Sequence, residues 1–134
     1  MVQVYQSRVW TIFWHENAKC LHFVFQPYSR LMTKEEYLQE LKHYIALVQQ
    51  YCPKAILADT RDFGFTITPD IQDFINKNIL LTYESIGVTK HAILTSKDLF
   101  AQISIEQTME ENLKPCYQNR YFADEQEAFA WLGL

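Results

Sequence analysis

The chain has 134 residues, of which 49% are hydrophobic and 21% charged, and its formal net charge is -4. One domain of that size buries enough apolar surface to fold without disulfides or metals. Lys and Arg are scattered with no basic run, which argues against a nucleic-acid partner, and no apolar stretch approaches the ~20 residues of a membrane span. The first residues lack the basic start and apolar core of a signal peptide. Cys20, Cys52 and Cys116 are odd in number and lack metal-ligand or redox spacing, so they read as reduced thiols of a cytoplasmic protein.

Aromatic residues make up 15% of the chain. Many come early, at Tyr5, Trp10, Phe13, Trp14, Phe23, Phe25 and Tyr28, either as core or as a partner surface. The first ~28 residues read as extended. Residues 9–14 and 21–25 predict two strands joined by the polar break at residues 15–19, and strands so close in sequence pair antiparallel. In the first of them Trp10, Ile12 and Trp14 share one face and Val9, Thr11 and Phe13 the other. A strand apolar on both faces is covered twice, or else offers a dimer surface.

Pro27 ends the second strand. Thr33 and Glu36 form a capping box that opens a helix, with Tyr37, Leu41, Tyr44, Ile45, Val48 and Cys52 on its apolar face, Glu40 on its wet side and Pro53 as its stop. The apolar run Ala55-Ile56-Leu57-Ala58 predicts a strand buried on both faces, followed by a polar loop at residues 59–64. Thr68 caps a second helix with Pro69 at its first position; Ile71, Phe74, Ile75, Ile79 and Tyr83 mark its apolar side and Gly87 its C-cap. Residues 91–95 predict another buried strand. Ser96 caps a helix over residues 96–113, residues 120–122 form a last short strand, and a capping box at residues 124–127 opens the closing helix through Trp131 and Leu132. The order is β-β-α-β-α-β-α-β-α: a single-domain α/β fold over residues 1–134, with a mixed sheet and an N-terminal antiparallel hairpin.

Several segments resemble the SpoIIAA-like branch of the STAS domains, in particular its small stand-alone bacterial members. They are Ile56-Leu57-Ala58-Asp59-Thr60-Arg61-Asp62, the helix start Thr68-Pro69-Asp70, and the closing run from Tyr121-Phe122-Ala123-Asp124 to Trp131-Leu132. The resemblance spans nearly the whole chain and implies a non-enzymatic regulatory or protein-interaction module of unassigned pathway, acting through an unknown protein partner or as a homodimer. Anti-sigma-factor antagonists of this family are phosphorylated on the serine of an Asp-Ser-Ser-Gly-like motif. Here the matching stretch is Gly64-Phe65-Thr66-Ile67-Thr68-Pro69-Asp70, which has no Ser-Ser-Gly; Thr66 and Thr68 are the hydroxyls nearest that position. STAS-like sheets also resemble the CRAL-TRIO lipid-transfer fold, which implies an alternative: a small-molecule or lipid carrier holding an apolar ligand against the sheet, in a cavity lined by Phe74, Ile79 and Phe100.

In open α/β sheets, ligands favour the crevice beyond the carboxyl ends of parallel strands. Here that edge gathers Arg30, Asp59, Thr60, Arg61, Asp62, Ser96 and Lys97 beside three helix starts, which suits a small anion or a partner. The alternative reading of the same residues is structural: the hydroxyls cap helices, and Arg61 pairs with Asp59 or Asp62. No metal is expected. Asp59, Asp62 and Asp70 lack the spacing of a calcium loop, and no histidine pair has the i, i+4 spacing of a zinc site, although Cys20 and His22 share a strand face with His15 across the hairpin. Without a nucleophile motif or a glycine-rich loop, neither an enzyme nor a bound cofactor is expected.

Overall fold

The computed structural model describes residues 1–111 and 115–134. Among the described residues six strands form one sheet in chain order: β1 (Val2–Gln6), β2 (Trp10–His15), β3 (Cys20–Phe25), β4 (Ala55–Asp59), β5 (Lys90–Leu94) and β6 (Gln118–Phe122). The first three pair antiparallel and the last three continue in parallel from β3. The expected hairpin is β2–β3, turned at Lys19, which adopts φ +50°. The sequence-based order omits β1. Its alternation of Val and Gln is short and mostly exposed, and a bulge between Gln3 and Tyr5 breaks its register with β2.

Helices cover the two faces unequally. On one face lie α1 (Lys34–Tyr51), a continuous helical run made of α2 (Pro69–Ile75), a π-helical turn (Asn76–Leu80) and α3 (Leu81–Ile86), and then α4 (Leu99–Glu110). Leu21, Phe23, Ile56 and Ile93 point to that side. On the other face α5 (Glu125–Leu132) covers Cys20, Leu57, Ala92 and Leu94 through Ala128 and Leu132. β4 is buried along its whole length because both faces are covered there.

The aromatic hairpin is core. Trp10 is 1% exposed and Trp14 7%, and the Trp10 ring packs on Phe23, Phe25 and Tyr44. These side chains therefore offer no dimer surface. In α1 the Thr33 hydroxyl accepts from the Glu36 amide at 3.1 Å, and the Glu36 carboxylate faces the Thr33 amide while taking Arg8 and Tyr28. Three positions of that helix differ from expectation. Cys52 is exposed because the chain turns left-handed there at φ +45°, Ile45 is only half-buried, and Glu40 is buried. β1 supplies the reason for the last: the Tyr5 hydroxyl donates to Glu40 at 2.6 Å.

The helix after β5 begins later than expected. Asp98, not Ser96, is its cap, accepting from the Ala101 amide at 2.9 Å. Ser96 is engaged in the loop below, donating to the Phe63 carbonyl at 2.7 Å and accepting from the Asp98 amide at 3.0 Å. The expected end of this helix at residue 113 lies outside the described residues. No helix among the described residues is long and apolar enough to cross a membrane.

Candidate functional site

The β4 strand ends at Asp59, and the chain then turns through Thr60, Arg61 and Asp62 over the carboxyl edge of the parallel strands. A surface cleft of about 200 Å³ lies there. Arg30, Arg61, Asp62 and Lys97 line it, so four of the seven predicted edge residues meet in one place. The other three sit beneath or beside it as structure. The buried Thr60 hydroxyl donates to the Leu94 carbonyl, clamping β4 to β5. Asp59, 4% exposed, accepts Arg61 Nε at 2.9 Å and Nη2 at 2.6 Å, and Glu125 takes the same Nη2 at 3.3 Å. Arg61 thus pairs with Asp59 and ties the loop to the start of α5; the Asp59 hydrogen bonds raise its already high pKa.

Much of the charge at the cleft is engaged, although the exposed Arg30 has no ion pair among the described residues. Lys97 pairs with Asp62 at 3.3 Å, and Asp98 caps α4. The loop is held tightly on its inner side, where the buried Ser29 hydroxyl donates to the Asp62 carbonyl at 3.1 Å and accepts from the Gly64 amide at 3.3 Å. A Cβ at Gly64 would lie 2.6 Å from Cβ of Arg30, so this close approach requires glycine.

Thr66 and Thr68 are both exposed. Thr68 occupies the cap position of α2, but its hydroxyl makes no cap bond and donates instead to Asp70. Asp70 is also paired with Lys34 and is held down at about 2 by those two partners. His15 and His22 meet directly, Nε2 to Nδ1 at 3.1 Å, with the rings stacked. Burial, then the neighbouring His15, pushes His22 down to about 4, and burial lowers His15. The two imidazoles satisfy one another, and among the described residues no three His, Cys, Asp or Glu side chains are placed to hold a metal ion.

A second surface was not anticipated from the sequence. Helix α4 buries Ala101, Ser104, Ile105 and Thr108 but leaves Leu99 68%, Phe100 71% and Ile103 44% exposed. Tyr121 of the edge strand β6, 37% exposed, lines a cleft with Glu106 and Glu110 of the same helix. Phe100 therefore faces solvent and lines no ligand cavity. The sequence signal was present in the apolar residues on both sides of α4, of which Phe100 was assigned to the lining of a cavity. No protein-family model, curated protein or solved structure matches the chain.

Proposed function

We propose that this domain is a non-enzymatic, STAS-like protein-interaction module that self-associates through α4. The observation carrying this reading is the exposed stripe Leu99, Phe100 and Ile103, an apolar surface on a short helix beside an open sheet edge. The element order from β2 onward supports the family reading. The non-enzymatic reading rests on the carboxyl-edge groups being engaged in ion pairs, caps and loop bonds.

The partner that fits best is a second copy of this chain. Phe100, Ile103, Gln107 and Glu110 recur at three- and four-residue steps, the seam of a helix pair. If two α4 helices cross antiparallel with Ile103 at the two-fold axis, Lys97 of one copy faces Glu110 of the other. Lys97 is well exposed and its pair with Asp62 spans 3.3 Å at the surface, so it is available to a new carboxylate. Opposite charges then flank an apolar centre twice, once on each side of the axis.

Size-exclusion chromatography with light scattering tests this. The wild type is expected to dimerise with rising concentration, and Phe100→Asp to remain monomeric and folded, since the side chain is exposed. Lys97→Glu or Glu110→Lys alone should weaken association by about thirtyfold, since each dimer loses two pairs of ~1 kcal/mol, and the double exchange should restore it. A monomer at every concentration would refute self-association. A dimer indifferent to Phe100→Asp would move the interface elsewhere.

A further inference from the structure

Between the sheet and its three-helix cover lies a cavity of about 70 Å³. Its wall includes a chain of ring contacts drawn from four elements: Trp10 of β2 on Tyr44 of α1, Tyr44 on Tyr83 of α3, and Tyr83 on His91 of β5. The hydroxyls of Tyr44 and Tyr83 bond to one another. The polar atoms at the two ends of this chain have no partner among the described residues: Trp10 Nε1 and His91 Nδ1 are both buried and unbonded, in side chains 1% and 3% exposed. A buried N–H left unpaired is costly and rare in a folded domain, and here two unpaired nitrogens belong to the lining of one void.

The wall opposite the sheet is the helical run that contains the π turn, through Ile75, Ile79, Leu80 and Tyr83. Such turns insert one residue into a helix and concentrate at functional sites. This one is fastened from outside: Asn76 Nδ2 donates to the carbonyls of Gln72 at 3.0 Å and Thr108 at 2.9 Å, and Asn78 Nδ2 to Phe74 at 3.0 Å. The half-buried Met109 borders both the cavity and the surface cleft below α4, placing a flexible thioether between the void and solvent.

We infer that this cavity is a binding site for a compact, uncharged, largely apolar molecule bearing one carbonyl or hydroxyl oxygen, which accepts from the Trp10 indole N–H. Among the described residues no Asp, Glu, Lys or Arg lines the void, so a charged ligand would be desolvated without compensation. Burial pushes His91 down to about 4, so it too is neutral near pH 7. The volume is about half of the ~150 Å³ of an apolar cavity known to take benzene, which limits the ligand to a few heavy atoms in the unrelaxed site. Of the residues expected to line a carrier cavity, only Ile79 does so. Phe74 is half-buried outside it, and a bulky lipid does not fit the space.

Nuclear magnetic resonance of the three indole N–H groups tests the site with 2-butanone and 2-butanol as probes and acetate as the charged control. Trp10→Phe assigns the Trp10 signal. Trp14, bonded to Glu16 at 2.6 Å, and Trp131 serve as internal references. The Trp10 N–H is expected to shift downfield and saturate with either neutral probe, to stay put with acetate, and to lose its response in Ala58→Val, which fills the void. Should Ala58→Val fail to fold, Ile79→Phe takes its place. A Trp10 signal that ignores both neutral probes, or that drifts without saturation alongside the other two indoles, would overturn the inference and leave the void to water. Neither result depends on α4 association, which is read separately.

Discussion

Buried histidines give this protein a steep acid response. His22 and His91 are 4% and 3% exposed, and both sit near 4 in the fold. In the unfolded chain a histidine titrates near 6.5. Between those values the unfolded state binds protons that the fold refuses. Their stabilisation is therefore complete above about pH 6.5 and is lost as the pH falls toward 4, by roughly 3 kcal/mol for each histidine. Urea denaturation at pH 7 and pH 4.5 should show this loss, and His22→Phe should reduce it; a midpoint unchanged across that range would contradict the burial of both rings. Asp59 is held by an ion pair. Its buried carboxylate depends on Arg61, so Arg61→Ala should destabilise the domain by about 2 kcal/mol at pH 7, whereas exposed Arg30→Ala should cost almost nothing.

At the scale of elements, the strands and helices with strong local signals were legible in the sequence. β4 reads as a doubly buried strand from four apolar residues, and Thr33, Pro69 and Gly87 mark helix ends where the structure has them. What was not legible depended on partners distant in sequence. β1 becomes a strand only beside β2, and Glu40 is buried only because Tyr5 reaches it. The start of α4 moved from Ser96 to Asp98 because the Ser96 hydroxyl is taken by Phe63, 33 residues earlier. The π turn has no signature in apolar spacing, since Ile71, Ile75, Ile79 and Tyr83 fit an ordinary helix equally well. The loop after β4 carries its own test. Gly64→Ala would drive a methyl into Cβ of Arg30, and a destabilisation of about 1–3 kcal/mol is expected in thermal melts; an unchanged melting temperature would show that the 27–31 turn yields freely.

For the molecule as a whole, sequence reasoning named a carboxyl edge, and the structure brings Arg30, Arg61, Asp62 and Lys97 of it to one cleft, where Lys97 pairs with Asp62, Arg61 turns to Asp59 and Glu125, and Arg30 stays exposed. The sequence left the aromatic hairpin open between core and interface, because a strand apolar on both faces has the same composition whether a helix or a partner covers it, and the hairpin is core. The exposed apolar surface instead lies on α4, where residues such as Phe100 and Ile105 look alike in sequence and differ only in which side meets the sheet. Self-association therefore turns on α4 lying against α4. In a background of Cys52→Ser and Cys116→Ser, which removes the two exposed thiols, Ile103→Cys places one thiol per copy at the proposed two-fold axis. Mild oxidation at neutral pH is predicted to convert most of this variant to a covalent dimer, while Asn78→Cys, exposed on the neighbouring helix, stays monomeric. Equal cross-linking at both positions, or none at Ile103→Cys, would contradict the α4 interface.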